Sequence, residues 1–223
     1  MPDQSQPLWL YFTPRGQVSG VATLFYSHIV MQPQNLINLG YIVPYPNGGD
    51  GVYYVSVGFR SATDACSNYT FAQPLGDRLV IHPTGVAMSL PLTASDASSQ
   101  GWVVGSCFGG MGRHWFLDLS SPGSMTWRSD WMLPVVTMYD EDSPSPTGNI
   151  NAIFFASRVV QQSLVPPATN QWEPVPLPNL LMCKNFCNSS CTFYDTSFYS
   201  TLHIYMNNRS RITCHNGCTI GCC

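Results

Sequence analysis

The chain has 223 residues and a formal net charge of −3, and charged residues make up only 9% of it. That share is far below the roughly 25% of a typical soluble protein, so the surface must be built mainly from uncharged polar groups. With so little charge of either sign, the composition predicts neither a nucleic-acid partner nor attraction to an anionic membrane. No apolar run reaches the ~20 residues that cross a bilayer as a helix, so we expect no membrane span.

The first half of the chain predicts short strands joined by turns. Residues 8–30 predict a strand, a turn and a second strand, because β-branched and aromatic residues flank Pro14-Arg15-Gly16. Residues 52–59 alternate in polarity and predict a strand whose odd-numbered residues form its apolar face. Residues 78–82 predict one more short strand, and residues 94–100 predict a loop.

The second half continues this pattern. Residues 131–139 and 150–160 predict the two strands of one hairpin, although the second run is also compatible with a short helix. No long amphipathic helix is expected anywhere. Many short strands between turn signals predict an all-β fold, either a sandwich or a barrel.

Composition also predicts a division of the chain. Five prolines lie between residues 165 and 178, which favours an extended linker. Seven of the nine cysteines follow it. We therefore expect a β-rich domain over residues 1–165, a proline-rich linker over 166–178, and a cysteine-rich segment over 179–223 that packs on the first domain.

The cysteines and three glycosylation sequons predict a secreted, extracellular glycoprotein. Nine cysteines in a low-charge chain are typical of disulfide-stabilised proteins made outside the cytosol. The sequons begin at Asn68, Asn188 and Asn208. The first residues have neither the basic start nor the apolar centre of a secretory signal, so we interpret Met1 as added to a mature chain.

Two runs of C-x3-C-x3-C predict a disulfide framework near the C-terminus. They consist of Cys183, Cys187, Cys191, Cys214, Cys218 and Cys222. We expect three bridges among these six, with the connectivity open, and a separate Cys66–Cys107 bridge. Metal binding by the six thiolates is the alternative, but the spacing differs from the usual zinc spacings, so no metal and no cofactor are predicted. Cys223 is left over, which predicts either a homo-oligomer linked through its thiol or a free thiol at the end of the chain.

The stretch from Gly101 to Asp118 predicts a binding site. Its glycine-dense turn permits positive φ or close approach to a ligand, and bulky, ionisable residues follow directly. Six tryptophans, eleven tyrosines and eleven phenylalanines favour stacking on a sugar or burial of an apolar ligand. The residues expected to bind are Gly110, Gly112, Arg113, His114, Trp115, Trp127 and Trp172.

Two histidines predict an alternative site. His114 and His203 lie among strand-forming residues, and histidines borne on strands can converge on zinc or copper. Asp118 and Glu173 are candidate carboxylates to orient them as catalytic residues. No common catalytic motif is present, so an enzyme is the second choice.

Four segments carry a resemblance. They are GMGRHWFLDL, LPVVTMY, INAIFFAS and STLHIYM, within residues 105–206. In this order they resemble a group of uncharacterised secreted invertebrate proteins. The resemblance implies that Gly112, His114, Asn151 and His203 act together, and it implies no activity. From the residues, we expect a secreted binding or matrix-type protein that recognises a glycan or small apolar ligand, with a His-dependent zinc or copper enzyme as the alternative.

Overall fold

A computed structural model describes most of the chain. The described residues are 8–26, 34–45, 51–72, 76–81, 87–124, 126–128, 130–140, 149–157, 172–175, 192–193, 199–209, 212 and 214. They form fourteen strands and three helices of four to six residues. The predicted all-β fold class is confirmed, because both large sheets are antiparallel and the helices are short.

The first large sheet is built from the N-terminal part of the chain. It has the order β1-β2-β4-β5-β6, and β3 also pairs with β4. The strands are β1 (Leu8–Phe12), β2 (Val18–Tyr26), β3 (Val43–Pro44), β4 (Val52–Gly58), β5 (Val80–Ile81) and β6 (Met88–Ser89). The predicted strand, turn and strand over residues 8–30 are confirmed as β1 and β2, with the turn at residues 14–16.

The second large sheet has the order β12-β14-β11-β10-β8-β7. Its strands are β7 (Val103–Phe108), β8 (Gly112–Phe116), β10 (Val135–Tyr139), β11 (Ile150–Ser157), β12 (Glu173–Val175) and β14 (Tyr199–Tyr205). The predicted hairpin is confirmed as β10 and β11, which settles the choice between strand and helix for the second run. A separate parallel pair joins β9 (Thr126–Trp127) to β13 (Thr192–Phe193).

The chain divides into two compact units at positions that differ from the predicted boundaries. One unit comprises Met1–Leu90 and Gln161–Trp172, and the other comprises Pro91–Val160 and Glu173–Cys223. The division falls inside the expected 1–165 domain because each large sheet forms its own set of contacts. The expected linker over 166–178 is wrong at Glu173–Val175, which pair with β14 as strand β12.

Each large sheet has a closely packed apolar face. In the first sheet, the alternating residues Val21, Val55 and Val57 are at most 1% exposed, as the alternation in β4 predicted. In the second sheet, Phe116, Val136, Met138, Ala152 and Phe154 form a buried cluster, and Phe108, Met111 and Tyr205 pack at its margin.

Two of the short helices begin at a capping residue. Helix α1 is Gln34–Asn38 and α2 is Ala62–Ala65. Residues 94–100, expected as a loop, contain helix α3 (Ala94–Ser99), so that prediction is wrong. Thr93 accepts a hydrogen bond from the backbone N–H of Asp96 at 3.1 Å, and Gly101, at φ +78°, ends the helix. Ser61 caps α2 in the same way through Asp64. The Thr-x-x-Asp and Ser-x-x-Asp spacings were the sequence signals for both helices.

The disulfide pairing differs from the prediction. Cys107 is bonded to Cys214, and Cys66 is an exposed free cysteine, so the expected Cys66–Cys107 bridge is wrong. The bridge joins β7 to the chain that follows β14, which also accepts a hydrogen bond at Ile212 from the backbone N–H of Gly110, just after β7. It also means that Cys214 does not pair within residues 183–223 as expected. The remaining predicted disulfide cysteines, Cys183, Cys187, Cys191, Cys218 and Cys222, and Cys223, lie outside the described residues.

Among the residues the structure describes, no helix is both long enough and apolar enough to cross a membrane.

Candidate functional site

The glycine-dense turn joins β7 to β8 and lies close to two other backbone segments. Gly112 has φ +97°, and a Cβ placed on it would lie 2.5 Å from the carbonyl oxygen of Tyr139 on β10. The Gly110 N–H donates to the carbonyl of Ile212 at 2.9 Å, and Arg209 Nε donates to the Gly110 carbonyl at 3.3 Å. The close approach predicted from the glycines is therefore made to other backbone segments of the same chain.

His114 lies within the packed face of the second sheet. Its side chain is fully buried, and Nδ1 lies 2.9 Å from the carbonyl oxygen of Ser106, which fits the tautomer that donates from Nδ1. Its Nε2 is buried and has no hydrogen-bond partner among the described residues. Burial, followed by the charge of His203, lowers the pKa of His114 to about 3. This imidazole is neutral at physiological pH.

His203 lies on β14, on the same face of the sheet. Its side chain is 9% exposed, and Nδ1 lies 3.5 Å from Oε2 of the exposed Glu173 on β12. Its Nε2 is also buried and without a partner in the described part of the chain. Burial, followed by the charge of Arg209, lowers the pKa of His203 to about 4. Like His114, it is neutral at physiological pH.

Phe154 contacts both histidine rings. Its centroid lies 5.6 Å from that of His114 and 5.0 Å from that of His203. His114 also packs edge-on against Phe108 at 5.3 Å. The described residues contain no group of three His, Cys, Asp or Glu side chains able to hold a metal ion. The sheet brings the two histidines to one aromatic cluster, where their principal contacts are rings.

The two predicted carboxylates have different surroundings. Glu173 reaches His203, as expected for a residue that orients an imidazole. Asp118 is buried and accepts hydrogen bonds from the backbone N–H and the hydroxyl of Ser120, at 2.8 and 2.6 Å. These bonds hold the turn that follows β8, which is a structural role.

Most of the predicted binding residues that the structure describes are buried. Arg113 is 4% exposed and donates from Nη1 to the carbonyl of Gly105 at 3.1 Å. Trp172, expected at the surface, is 2% exposed, so that expectation is wrong. Trp115 is partly exposed and meets Tyr139 edge-on, with centroids 6.1 Å apart. Trp127 belongs to β9, and its side chain is not among those described.

A second candidate site, which the sequence analysis missed, lies on the first sheet. We call it the aromatic face, and it consists of Trp9, Tyr11, Tyr45 and Tyr54. In β1, Trp9 and Tyr11 are two residues apart and therefore point to the same side of the sheet. Their cross-strand partners in β2 are Ala22 and Gly20. These pair in turn with Ser56 and Gly58 of β4, so small residues lie across the sheet from Trp9 and Tyr11, whereas Tyr54 pairs with Leu24.

The four rings are close together and in part open to solvent. The centroids of Trp9 and Tyr45 are 5.5 Å apart, and those of Tyr45 and Tyr54 are 6.4 Å apart. Tyr11 is 41% exposed, and the other three rings are partly exposed. Burial, and then the nearby hydroxyls of Tyr54 and Tyr45, raise the pKa of Tyr11. The face therefore offers apolar ring surfaces together with hydroxyl groups.

Small residues set the position of Tyr11. A Cβ on Gly20 would lie 3.1 Å from Cδ2 of Tyr11 and 2.8 Å from the carbonyl oxygen of Val57. The Tyr11 ring therefore rests over Gly20, where a larger residue would displace it. The sequence signal was the pairing of Trp9-x-Tyr11 with a glycine- and alanine-bearing strand, which becomes visible only when the register of β1 and β2 is known.

Two of the three predicted glycosylation sites are accessible. Asn68 and Asn208 are exposed, and Asn188 lies outside the described residues. The carbonyl of Asn68 accepts a hydrogen bond from Arg15 Nε at 2.8 Å, which leaves its side-chain amide out of that contact.

Comparison with known proteins provides no family to compare with this site. No protein-family model matches the chain, no curated protein matches it, and no solved structure matches it.

Proposed function

We propose that this chain is a secreted, disulfide-stabilised binding protein that recognises a glycan at the aromatic face. The observation that carries the proposal is the group of four partly exposed rings on one side of the first sheet. Sugars present apolar C–H faces and a rim of hydroxyl groups. Tyrosine and tryptophan rings match both, because each combines an apolar ring with a polar tip.

The chemistry of the face favours a sugar over a purely apolar ligand. Three of its four rings carry a hydroxyl, and Ser56 adds another partly exposed hydroxyl between them. An apolar ligand would leave these groups without hydrogen-bond partners, at a cost of about 1–3 kcal/mol for each group that becomes buried. A sugar provides donors and acceptors for them.

Secretion and glycosylation are supported by composition. Nine cysteines, the Cys107–Cys214 bridge and the exposed sequons at Asn68 and Asn208 are typical of an extracellular protein. Expression in a secreting eukaryotic cell should give a protein whose mass falls on treatment with an N-glycanase. A secreted protein of unchanged mass would contradict the glycosylation.

The binding proposal is tested on a glycan array with the full chain. We expect binding to at least one glycan class by the wild type and loss of that binding in Trp9→Ala. The control is Trp115→Ala, which removes a partly exposed tryptophan of the second sheet and should leave binding unchanged. Equal binding by wild type and Trp9→Ala, or binding to no glycan, would contradict the proposal.

A further inference from the structure

We infer that the ligand of the aromatic face is a neutral, soluble glycan chain, and not an anionic glycan or the flat surface of a crystalline polysaccharide. This inference rests on the proposed function and narrows it to one class of glycan. It depends on two properties of the face, which are the angles between its rings and the absence of charge from the strands that form it.

The rings are not coplanar. The planes of Trp9 and Tyr45 are inclined at 43°, and those of Tyr45 and Tyr54 at 86°. A crystalline polysaccharide presents a flat array of sugar rings, and side chains that bind it must lie in one plane. Two rings that are almost perpendicular cannot both stack on a flat surface. They fit a free chain, whose successive sugars turn relative to one another.

The spacing of the rings suits a short stretch of such a chain. Centroid separations of 5.5 and 6.4 Å are comparable with the size of one sugar ring. Tyr45 can therefore contact the edge of a sugar whose face stacks on Trp9. The backbone N–H of Tyr45 donates to the carbonyl of Val52 at 2.9 Å, which ties this ring to β4 although it lies outside a strand.

The first sheet supplies no charge for an anionic glycan. None of the strands β1 to β6, as described, contains a charged residue. A carboxylated or sulfated sugar is normally recognised by arginine or lysine, through charge-assisted hydrogen bonds. No such group belongs to the strands that carry the rings.

The described arginines of this unit have other contacts. Arg15 donates to the carbonyl of Asn68, and Arg60 lies 4.3 Å from the centroid of the Phe71 ring. Arg78 forms an ion pair with Asp77 at 2.9 Å. All three make these contacts at other positions of the unit than the aromatic face, and for Arg78 the partner is itself an anion.

The inference is tested with the full chain by affinity electrophoresis and by sedimentation with insoluble polymers. The gel probes are soluble galactomannan, xylan, laminarin and hydroxyethylcellulose as neutral glycans, and heparin and alginate as anionic ones. The insoluble probes are microcrystalline cellulose and crystalline chitin. We expect retardation by at least one neutral soluble glycan, none by the anionic ones, and no co-sedimentation.

Variants then tie any retardation to the aromatic face. Tyr11→Ala should weaken binding by about tenfold or more, as expected when a large aromatic ring that contacts the ligand is removed. Tyr11→Phe keeps the ring and should lose only the part of the binding affinity that the hydroxyl contributes. Phe12→Ala is the matched control, because Phe12 is an exposed ring on the same strand outside the aromatic face. Thermal unfolding of each variant shows that it is folded.

The possible outcomes separate the inference from the proposed function. Retention only by heparin or alginate, or only on a crystalline polymer, with loss in Tyr11→Ala would overturn the inference and leave glycan recognition standing. Retention by no probe of any class would overturn both. Neutral-glycan retention that is equal in wild type and Tyr11→Ala would also overturn both, because the aromatic face would then not be the site.

Discussion

The two large sheets use their distinctive residues in opposite ways. In the second sheet, histidine, arginine and glycine, the residue types most suggestive of a site, are buried and bonded within the protein. In the first sheet, ordinary strand formers place four aromatic rings on a partly exposed side. Residue type therefore identifies a candidate site only when the side chain is accessible to a ligand. In the second sheet these side chains are buried and make their contacts within the protein.

The largest expected effect tests whether the second sheet is core. Phe154→Ala removes the ring that contacts both histidines and should lower the free energy of unfolding by about 3–5 kcal/mol. Tyr11→Ala, on the exposed face, should cost much less. Urea denaturation of the two variants measures both. Equal losses of unfolding free energy in the two variants would contradict the assignment of the second sheet to the core and of the aromatic face to the surface.

The disulfide comes next in expected size. Replacing both Cys107 and Cys214 by alanine should lower the free energy of unfolding by about 2–5 kcal/mol, because the bridge closes a long loop of chain. Cys66→Ala is the matched control and should have little effect, since that cysteine is exposed and free. A larger loss from Cys66→Ala would mean that the pairing described here is wrong.

A smaller effect is expected at Gly112. Gly112→Ala places a Cβ against the carbonyl of Tyr139 at a positive φ and should cost about 1–3 kcal/mol. Gly109→Ala, in the same turn, meets no atom within 4 Å and should be tolerated. Thermal unfolding compares the two. Equal stability would show that the turn is not held against β10.

The last prediction concerns pH, where the effect is small for each step of a tenth of a pH unit and accumulates over the range. His114 has a pKa of about 3 in the folded protein against an ordinary value of 6.5, so below pH 6.5 the unfolded chain binds a proton that the folded protein does not. Stability should therefore fall as pH decreases from about 6.5 towards 3. The slope approaches about 1.4 kcal/mol per pH unit for this one group. Buried His203, with a pKa of about 4, adds a further loss of stability as pH decreases, over the narrower range from about 6.5 to 4.

Urea denaturation between pH 6.5 and 5 measures this slope. The whole of this pH range lies above the pKa values of both histidines in the folded protein. In His114→Phe the slope should be smaller, whatever the absolute stability of the variant. An unchanged slope would mean that His114 is hydrated and titrates normally in the folded protein.

The sequence predicted the fold class well because the signals are local. Alternation in β4 and the paired runs of β10 and β11 each depend on a few neighbouring residues, and both were confirmed. Helix α3 was missed because it is short and polar, and its capping pair, Thr93 and Asp96, was the only strong local signal.

The candidate site was harder to predict because it depends on contacts between distant residues. The bond between Cys107 and Cys214 and the pairing of Trp9 with Ala22 are set by strand order and register. Neither can be obtained from spacing along the chain. The pairing of β12 with β14 likewise places Glu173 beside His203, although composition predicted a linker there.

The most direct test of the central claim is to follow the tryptophan side chains by NMR during titration with a glycan that the protein binds. The indole N–H signals of the six tryptophans report on each ring separately, and Trp9→Phe and Trp115→Phe assign the two that matter. We expect the Trp9 signal to shift in proportion to saturation and the Trp115 signal, from the second sheet, to stay unchanged. A shift of Trp115 with Trp9 unchanged would place the ligand at the glycine-dense turn and contradict binding at the aromatic face.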